Sequence, residues 1–207
     1  MKLASWTIFL ILLVDQIVKI WIKTTMVIGE EIHVFGDWFI IHFTENNGMA
    51  FGLQIAGDWG KLILSLFRVV AIVVIAIYLY NIIKKQEKRG FIFSISLILA
   101  GAIGNMIDSA FYGLIFSESY QGLAQFFPAE GGYSSFLHGH VVDMFYFPVV
   151  KGSYPDWLPF LGGDRFIFFR PVFNIADSAI TVGVFVLIFF QKSLFPEKVA
   201  PQLNQDN

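Results

Sequence analysis

Asp15, Asp108, Asp143, Asp177 and Arg68 lie in or against long apolar runs of the chain. Ionisable side chains in hydrocarbon are costly, so each marks a functional site in its own right. If Asp143 and Asp177 meet in a low-dielectric setting, both cannot ionise cheaply; one keeps a proton and the pair titrates as a unit. The ionised member can take a proton from water as that water attacks a peptide carbonyl, while the protonated member polarises the carbonyl. This is aspartic peptidase chemistry, which needs neither a metal nor a cofactor.

The elements that must position these acids are membrane helices. Hydrophobic residues make up 56% of the 207 and charged residues 14%, against about 25% charged in a soluble domain; the mean hydropathy is +0.66. The length suits one integral-membrane domain, residues 1–207. A net charge of −2 gives no sign of a nucleic-acid partner, and the absence of cysteine excludes thiol catalysis and thiolate metal sites. Four stretches approach the roughly 20 residues needed to span a bilayer core: Ala4 to Ile22, Lys61 to Ile83, Phe91 to Ser109 and Val172 to Gln191. The first resembles a secretory signal until its end, where Asp15, Gln16 and Ile17 replace a small-residue cleavage site, so a retained helix is expected.

The basic link Lys84 to Gly90 belongs in the cytoplasm, which puts both termini inside and leaves 23–60 and 110–171 outside. The expected fold is therefore an all-α membrane protein of four transmembrane helices, with a small extracytoplasmic β-rich element and an extended outer loop between the third and fourth. Alternating residues such as Ile32, Val34 and Trp38, Ile40, His42, broken at Gly36 and Asp37, mark that element. The run His140 to Phe145 is too apolar for an exposed turn and is expected to dip against the membrane face. Counting 1.5 Å of rise per residue, Asp15, Arg68 and Asp177 fall roughly 8 to 11 Å below the outer surface, at one level, with Asp108 at the outer end of the third helix.

Asn105 with Asp108 and Asn174 with Asp177 repeat one N-x-x-D pattern, which on a helix puts amide and acid on the same face. Neighbouring Gly101, Ala102, Gly104, Ala176, Ser178 and Ala179 permit close helix approach. The same polar groups would also serve as glue between helices.

On five blocks in order, the chain resembles the bacterial lipoprotein signal peptidases (signal peptidase II) over most of its length. The blocks are Asp15-Gln16 with Lys19; Asn46 to Gly52; Gly104 to Asp108; Val141 to Asp143; and Phe173 to Ala179. The resemblance implies Asp143 and Asp177 as the catalytic dyad of an intramembrane aspartic endopeptidase. The implied substrate is a diacylglyceryl-modified prolipoprotein, cut before its lipidated cysteine. Asp15, Asn46, Gly48, Asn105, Asp108 and Asn174 match positions that support the site or hold substrate. It further implies globomycin-type peptide inhibitors, contact with membrane lipid, and a place in the bacterial cytoplasmic (inner) membrane with the site toward the extracytoplasmic face. A monomer is expected for a site made within one bundle.

Two departures stand out. Ser109 occupies the place where the family usually has arginine, and serine cannot supply a charged, forked donor; Arg68, at compatible depth, is expected to take over part of that work, although a structural ion pair with Asp15 or Asp108 would explain it equally. The stretch Ala110 to His140 is longer than the family's link and is expected to cover or shape the site. His138, Gly139, His140 and Asp143 have metal-like spacing, but the H-E-x-x-H signature of a zinc peptidase is missing. Buried acids with an arginine also suit a small transporter or channel, for which inverted repeats and Gly/Pro-broken segments are lacking. A noncatalytic membrane scaffold is the third reading.

Overall fold

The computed structural model describes residues 1–46, 57–148, 150–155, 157, 159–160, 163–168 and 171–191; Gly48 lies outside the described residues. Helix α1 spans Lys2–Thr25 and leads through the extended Met26 into strands β1 (Glu31–Phe35) and β2 (Phe39–Asn46). Helices α2 (Gly57–Lys84) and α3 (Arg89–Ile107) follow, joined by the expected short basic link. The link turns at Gln86, whose φ is +56°. Three helical stretches, Lys2–Thr25, Gly60–Lys84 and Arg89–Ile115, are long and apolar enough to cross a membrane.

The third stretch runs past its expected end at Ser109. A π-helical turn, Asp108–Tyr112, and a helical turn α4, Gly113–Ile115, continue α3 outward. The fourth helix is shorter than expected: α5 spans Ile175–Phe189, and Val172–Phe173 forms strand β6 instead. Val172 and Phe173 are apolar enough to pass for helix, but Asn174 caps α5 and stops it from extending backward. Asp177 therefore sits in the first turn of α5 rather than five residues into a helix.

The small sheet draws on both outer segments. Its order is β1-β2-β3-β6, antiparallel throughout, with β3 at Val141–Tyr146; a separate hairpin pairs β4 (Val150–Ser153) with β5 (Arg165–Phe168). The β1–β2 turn falls at Gly36 as expected, with φ +52°. The run expected to dip toward the membrane is instead the central strand β3. Its apolar character comes from burial on both sides, since Val142 and Met144 are fully buried and Asp143 is 3% exposed.

One core lies beneath the sheet, where Phe43, Val142 and Met144 pack on Ile22 and Met26 of α1 and on Tyr112 and Phe116. A second, at the other end of the bundle, joins Ala4, Leu79, Ile82, Phe91, Ile95 and Leu99. Large side chains such as Phe67, Val70, Val74 and Ile77 of α2 remain exposed, as a lipid-facing surface requires. Helices α3 and α5 approach closely: a Cβ built on Gly101 would lie 2.2 Å from the Ala176 carbonyl oxygen. That approach sets the distance between the two N-x-x-D segments.

Candidate active site

Asp143 and Asp177 are joined through two asparagines. Asn174 Nδ2 donates to Asp143 Oδ1 at 2.7 Å, and Asn174 Oδ1 accepts from the Asp177 backbone N–H at 2.9 Å. Asn105 Nδ2 donates to Asp177 Oδ1 at 2.7 Å, while Asn105 Oδ1 accepts from Asn174 Nδ2 at 3.1 Å. On the other side of Asp143, the Asn46 amide donates to Oδ2. The acids thus come together from β3 and α5, held by amides from β2, α3 and the start of α5.

Local structure explains each placement. Asn174 and Asp177 form a reciprocal capping box, because the Asp177 carboxylate also accepts from the Asn174 N–H at 3.3 Å. This satisfies two of the donors left free at a helix start and places the Asp177 carboxylate at the positive end of the helix dipole. In β3, side chains alternate between faces; Val142 and Met144 enter the core, and Asp143 faces the opposite way with its register partner Thr44.

Behind the pair lies a charged network that is completely buried. Lys19 Nζ contacts Asp15 Oδ2 at 3.0 Å, Asp108 Oδ2 at 2.8 Å and Asn105 Oδ1 at 3.0 Å, which occupies its three donors. Gln16 Nε2 donates to Asp15 Oδ2 and Asp108 Oδ1 at 3.1 and 3.0 Å, and its Oε1 accepts from Tyr112 at 3.1 Å. Asp15 Oδ1 accepts from the Ala176 N–H at 2.9 Å, and Asp108 Oδ2 from the Val142 N–H at 3.2 Å. Asp15 and Asp108 therefore fix α5 and β3, the two elements that carry Asp177 and Asp143.

Lys19 and Gln16 gained no chemical role from sequence reasoning. The signal for Lys19 was present: Asp15, Lys19 and Lys23 recur every four residues on one face of α1, and all three are fully buried. Arg68 Nη1 donates to Ser109 Oγ at 3.1 Å, so it reaches the position at which the resemblance leads one to expect an arginine, and it lies within electrostatic range of Asp177, Asp108 and Asp143. The two histidines with metal-like spacing turn to different partners. His138 Nδ1 lies 2.9 Å from the Phe136 carbonyl, and His140 Nδ1 lies 3.1 Å from Glu45 Oε2.

The long outer stretch folds back on the end of α3. Gly139 N donates to Ser109 O at 2.8 Å, Ser134 N to Gly113 O at 2.8 Å, and Tyr133 N to Phe116 O at 3.0 Å. Ser65 of α2 also donates to the Leu137 carbonyl, at 3.0 Å. The stretch packs around the turn that carries Asp108 and Ser109.

Electrostatically, burial pushes the Asp143 carboxyl up, and the neighbouring Asp177 carboxylate adds to this; Lys19 and the Asn174 and Asn46 amides pull the other way, leaving it at about 7. A carboxyl so placed holds a proton near neutral pH. Asp177 is more open, being only partly buried.

The model of the family described as signal peptidase (SPase) II matches residues 7–192. A lipoprotein signal peptidase of Porphyromonas gingivalis is 53% identical over 188 residues, covering 90% of this chain and 81% of that protein. One from Amoebophilus asiaticus is 34% identical over 193 residues, covering 92% and 78%. Among solved structures, a bacterial membrane enzyme determined by the in meso method at 2.3 Å resolution aligns with a TM-score of 0.60 at 25% identity, covering 97% of this chain and 94% of that one. A second, at 1.9 Å resolution, gives 0.57 at 26% identity and covers 91% of each. With the family match running through α1, the sheet and α5, this multi-pass membrane protein belongs to the signal peptidase II family.

Proposed function

We propose that the protein is a lipoprotein signal peptidase that works as an intramembrane aspartic endopeptidase. It removes the signal peptide from diacylglyceryl-modified prolipoproteins by cutting before the lipidated cysteine. The observation that carries this reading is the joining of Asp143 and Asp177 through Asn174 and Asn105. Asp143, buried and raised to about 7, holds the shared proton. It donates to the scissile carbonyl oxygen, making the carbon electrophilic. Asp177, at the helix start with Asn105 and the Asn174 N–H on its oxygens, accepts a proton from the attacking water. The tetrahedral intermediate collapses when Asp177 gives the proton it took from water to the amine leaving group and a hydroxyl of the intermediate returns a proton to Asp143, which restores the single-proton pair.

A lipid-bearing substrate fits the surroundings. An apolar groove of about 220 Å³ lined by Val69, Ile72, Val73, Ile103, Met106 and Ala110, among others, opens between α2 and α3. Its lining residues Val69 and Ala110 are the chain neighbours of Arg68 and Ser109. In this reading four helices span the inner membrane with both termini in the cytoplasm, the site faces outward, one chain suffices, and globomycin-type peptides block the cleft. Arg68 supplies part of the electrostatic work of the arginine replaced by Ser109.

Purified protein in proteoliposomes, given a diacylglyceryl-modified precursor, tests the reading. A shortened product whose new N-terminus is the lipidated cysteine is expected, and Asp143→Asn or Asp177→Asn abolishes it. Cleavage retained by either variant overturns the dyad assignment.

A further inference from the structure

A second buried ionic cluster lies on the far side of the sheet from the acid pair. Lys23 Nζ is fully buried; it pairs with Glu45, donates to Ser119 Oγ at 2.9 Å, and sits 4.9 Å from the Tyr133 ring and 5.5 Å from the Phe116 ring. The Glu45 side chain is 3% exposed. Its Oε1 also accepts from Ser119 Oγ at 3.3 Å, and its Oε2 lies 3.1 Å from His140 Nδ1. The His140 N–H donates to Tyr133 OH at 2.7 Å, and Lys23 O accepts from Ala124 N at 3.3 Å. One ion pair therefore gathers α1, β2, the outer stretch and the lead-in to β3.

Its place in the register gives it a consequence for the site. Glu45 pairs with Val142 and the next residue, Asn46, with Val141, while His140 directly precedes that pair. Because strand side chains alternate, Glu45 enters the inner face beside Phe43 and Asn46 turns to the opposite face, where its amide meets Asp143. Fixing Glu45 fixes the backbone from which Asn46 reaches the acid.

We propose that Lys23 and Glu45, with Ser119 of the outer stretch, are positioning residues that hold Asn46 on Asp143, so that the long outer stretch acts on the catalytic acid through the sheet. The inference rests on the peptidase reading above. A buried pair is a costly way to join segments, because losing either partner strands a charge without compensation. The Asn46 amide, with Lys19 and Asn174, opposes the burial and the Asp177 charge that raise Asp143, so loosening Asn46 alters the acid without touching the apolar groove between α2 and α3.

Reconstituted full-length protein and a diacylglyceryl-modified precursor provide the test. Glu45→Gln and Lys23→Met should each lower kcat about tenfold with KM within about twofold of wild type. In an Asn46→Ala background, followed by single-turnover rates, adding Glu45→Gln should cost less than about twofold more, because the effect passes through Asn46. Ser119→Ala removes one hydroxyl from the cluster; it should show the same pattern at smaller size and decides the matter if the ion-pair variants do not fold. Unchanged kcat, a loss confined to KM, or losses that multiply with Asn46→Ala overturn the inference while wild type cleaves. A wild-type protein that leaves the precursor intact overturns the peptidase reading and this inference with it.

Discussion

Replacing Gly101 by alanine puts a methyl group where α3 and α5 nearly touch. The added Cβ would lie 2.2 Å from Ala176 O and 2.7 Å from Ile180 Cγ1. A carbon approaches a carbonyl oxygen to about 3.3 Å without penalty, so the helices must part by roughly 1 Å. Asn105 lies one turn beyond Gly101, and Ala176 directly precedes Asp177. The Asn105–Asp177 hydrogen bond, 2.7 Å long, would stretch to about 3.7 Å and be lost. Misplacement of this size costs about 100-fold in turnover, together with about 1–3 kcal/mol of stability from overpacking. Gly183→Ala is the matched control. Its Cβ would meet Ile98 Cγ1 and Ser94 O at 2.7 Å, on the same helix pair but about 9 Å farther along α5 than Asp177. It should lose comparable stability and keep most of its turnover. Precursor cleavage in proteoliposomes, alongside denaturant unfolding in detergent, separates the two. Near-wild-type turnover in Gly101→Ala refutes the reasoning, and so does equal inactivation by Gly183→Ala.

The rise of Asp143 to about 7 sets a pH limb: the acid works protonated, so kcat/KM should hold below about pH 7 and fall about tenfold per unit above it. Asn46→Ala removes a hydrogen bond that lowers this value, and the limb should then move to higher pH; a limb that moves down contradicts the assignment. Lys19→Met leaves Asp15 and Asp108 without the ammonium 3.0 and 2.8 Å away, and should cost about 3–5 kcal/mol in denaturant unfolding, part of it regained when both acids become asparagine. Arg68→Gln should lower kcat about tenfold or more in a folded protein, and adding Ser109→Arg should restore activity; near-normal cleavage by Arg68→Gln sinks the compensation.

Depth arithmetic on apolar runs set Asp15 and Asp177 at one level, and the Ala176 N–H on Asp15 Oδ1 joins those two helices directly. A charge in an apolar helix leaves a mark visible in a single segment, but the depth assigned to Asp177 counted from Val172, whereas α5 starts at Ile175. The paired N-x-x-D pattern was legible as a signal but not as a structure. At 174–177 it is a helix cap, whereas at 105–108 it lies within continuous helix, and its two polar residues meet on Lys19 instead of on each other. Identical spacing cannot distinguish these, since the outcome depends on whether helix precedes the asparagine. Strand β3 escaped detection because burial on both faces removes the alternation that identifies a strand. The Lys23–Glu45 pair was invisible for another reason: its partners come from segments that meet only once the sheet has formed.

In the proposed mechanism the acid pair carries one proton, and the same buried charges bear on the member that holds it. Burial and Asp177 push the Asp143 carboxyl up, and Lys19 opposes them together with the Asn174 and Asn46 amides. Lys19 does not touch Asp143, yet its charge is among the influences that bring the carboxyl back to about 7. Asp15 and Asp108 flank the Lys19 ammonium at 3.0 and 2.8 Å. Those two acids also hold the backbones of α5 and β3. Geometry and proton affinity are thus set by one set of contacts, so a change to Asp15 or Asp108 should alter both together. Variants that shift the pH limb while leaving the Asp143–Asn174–Asp177 geometry intact would have to be sought among the groups on Asp143 outside that network, of which Asn46 is the first.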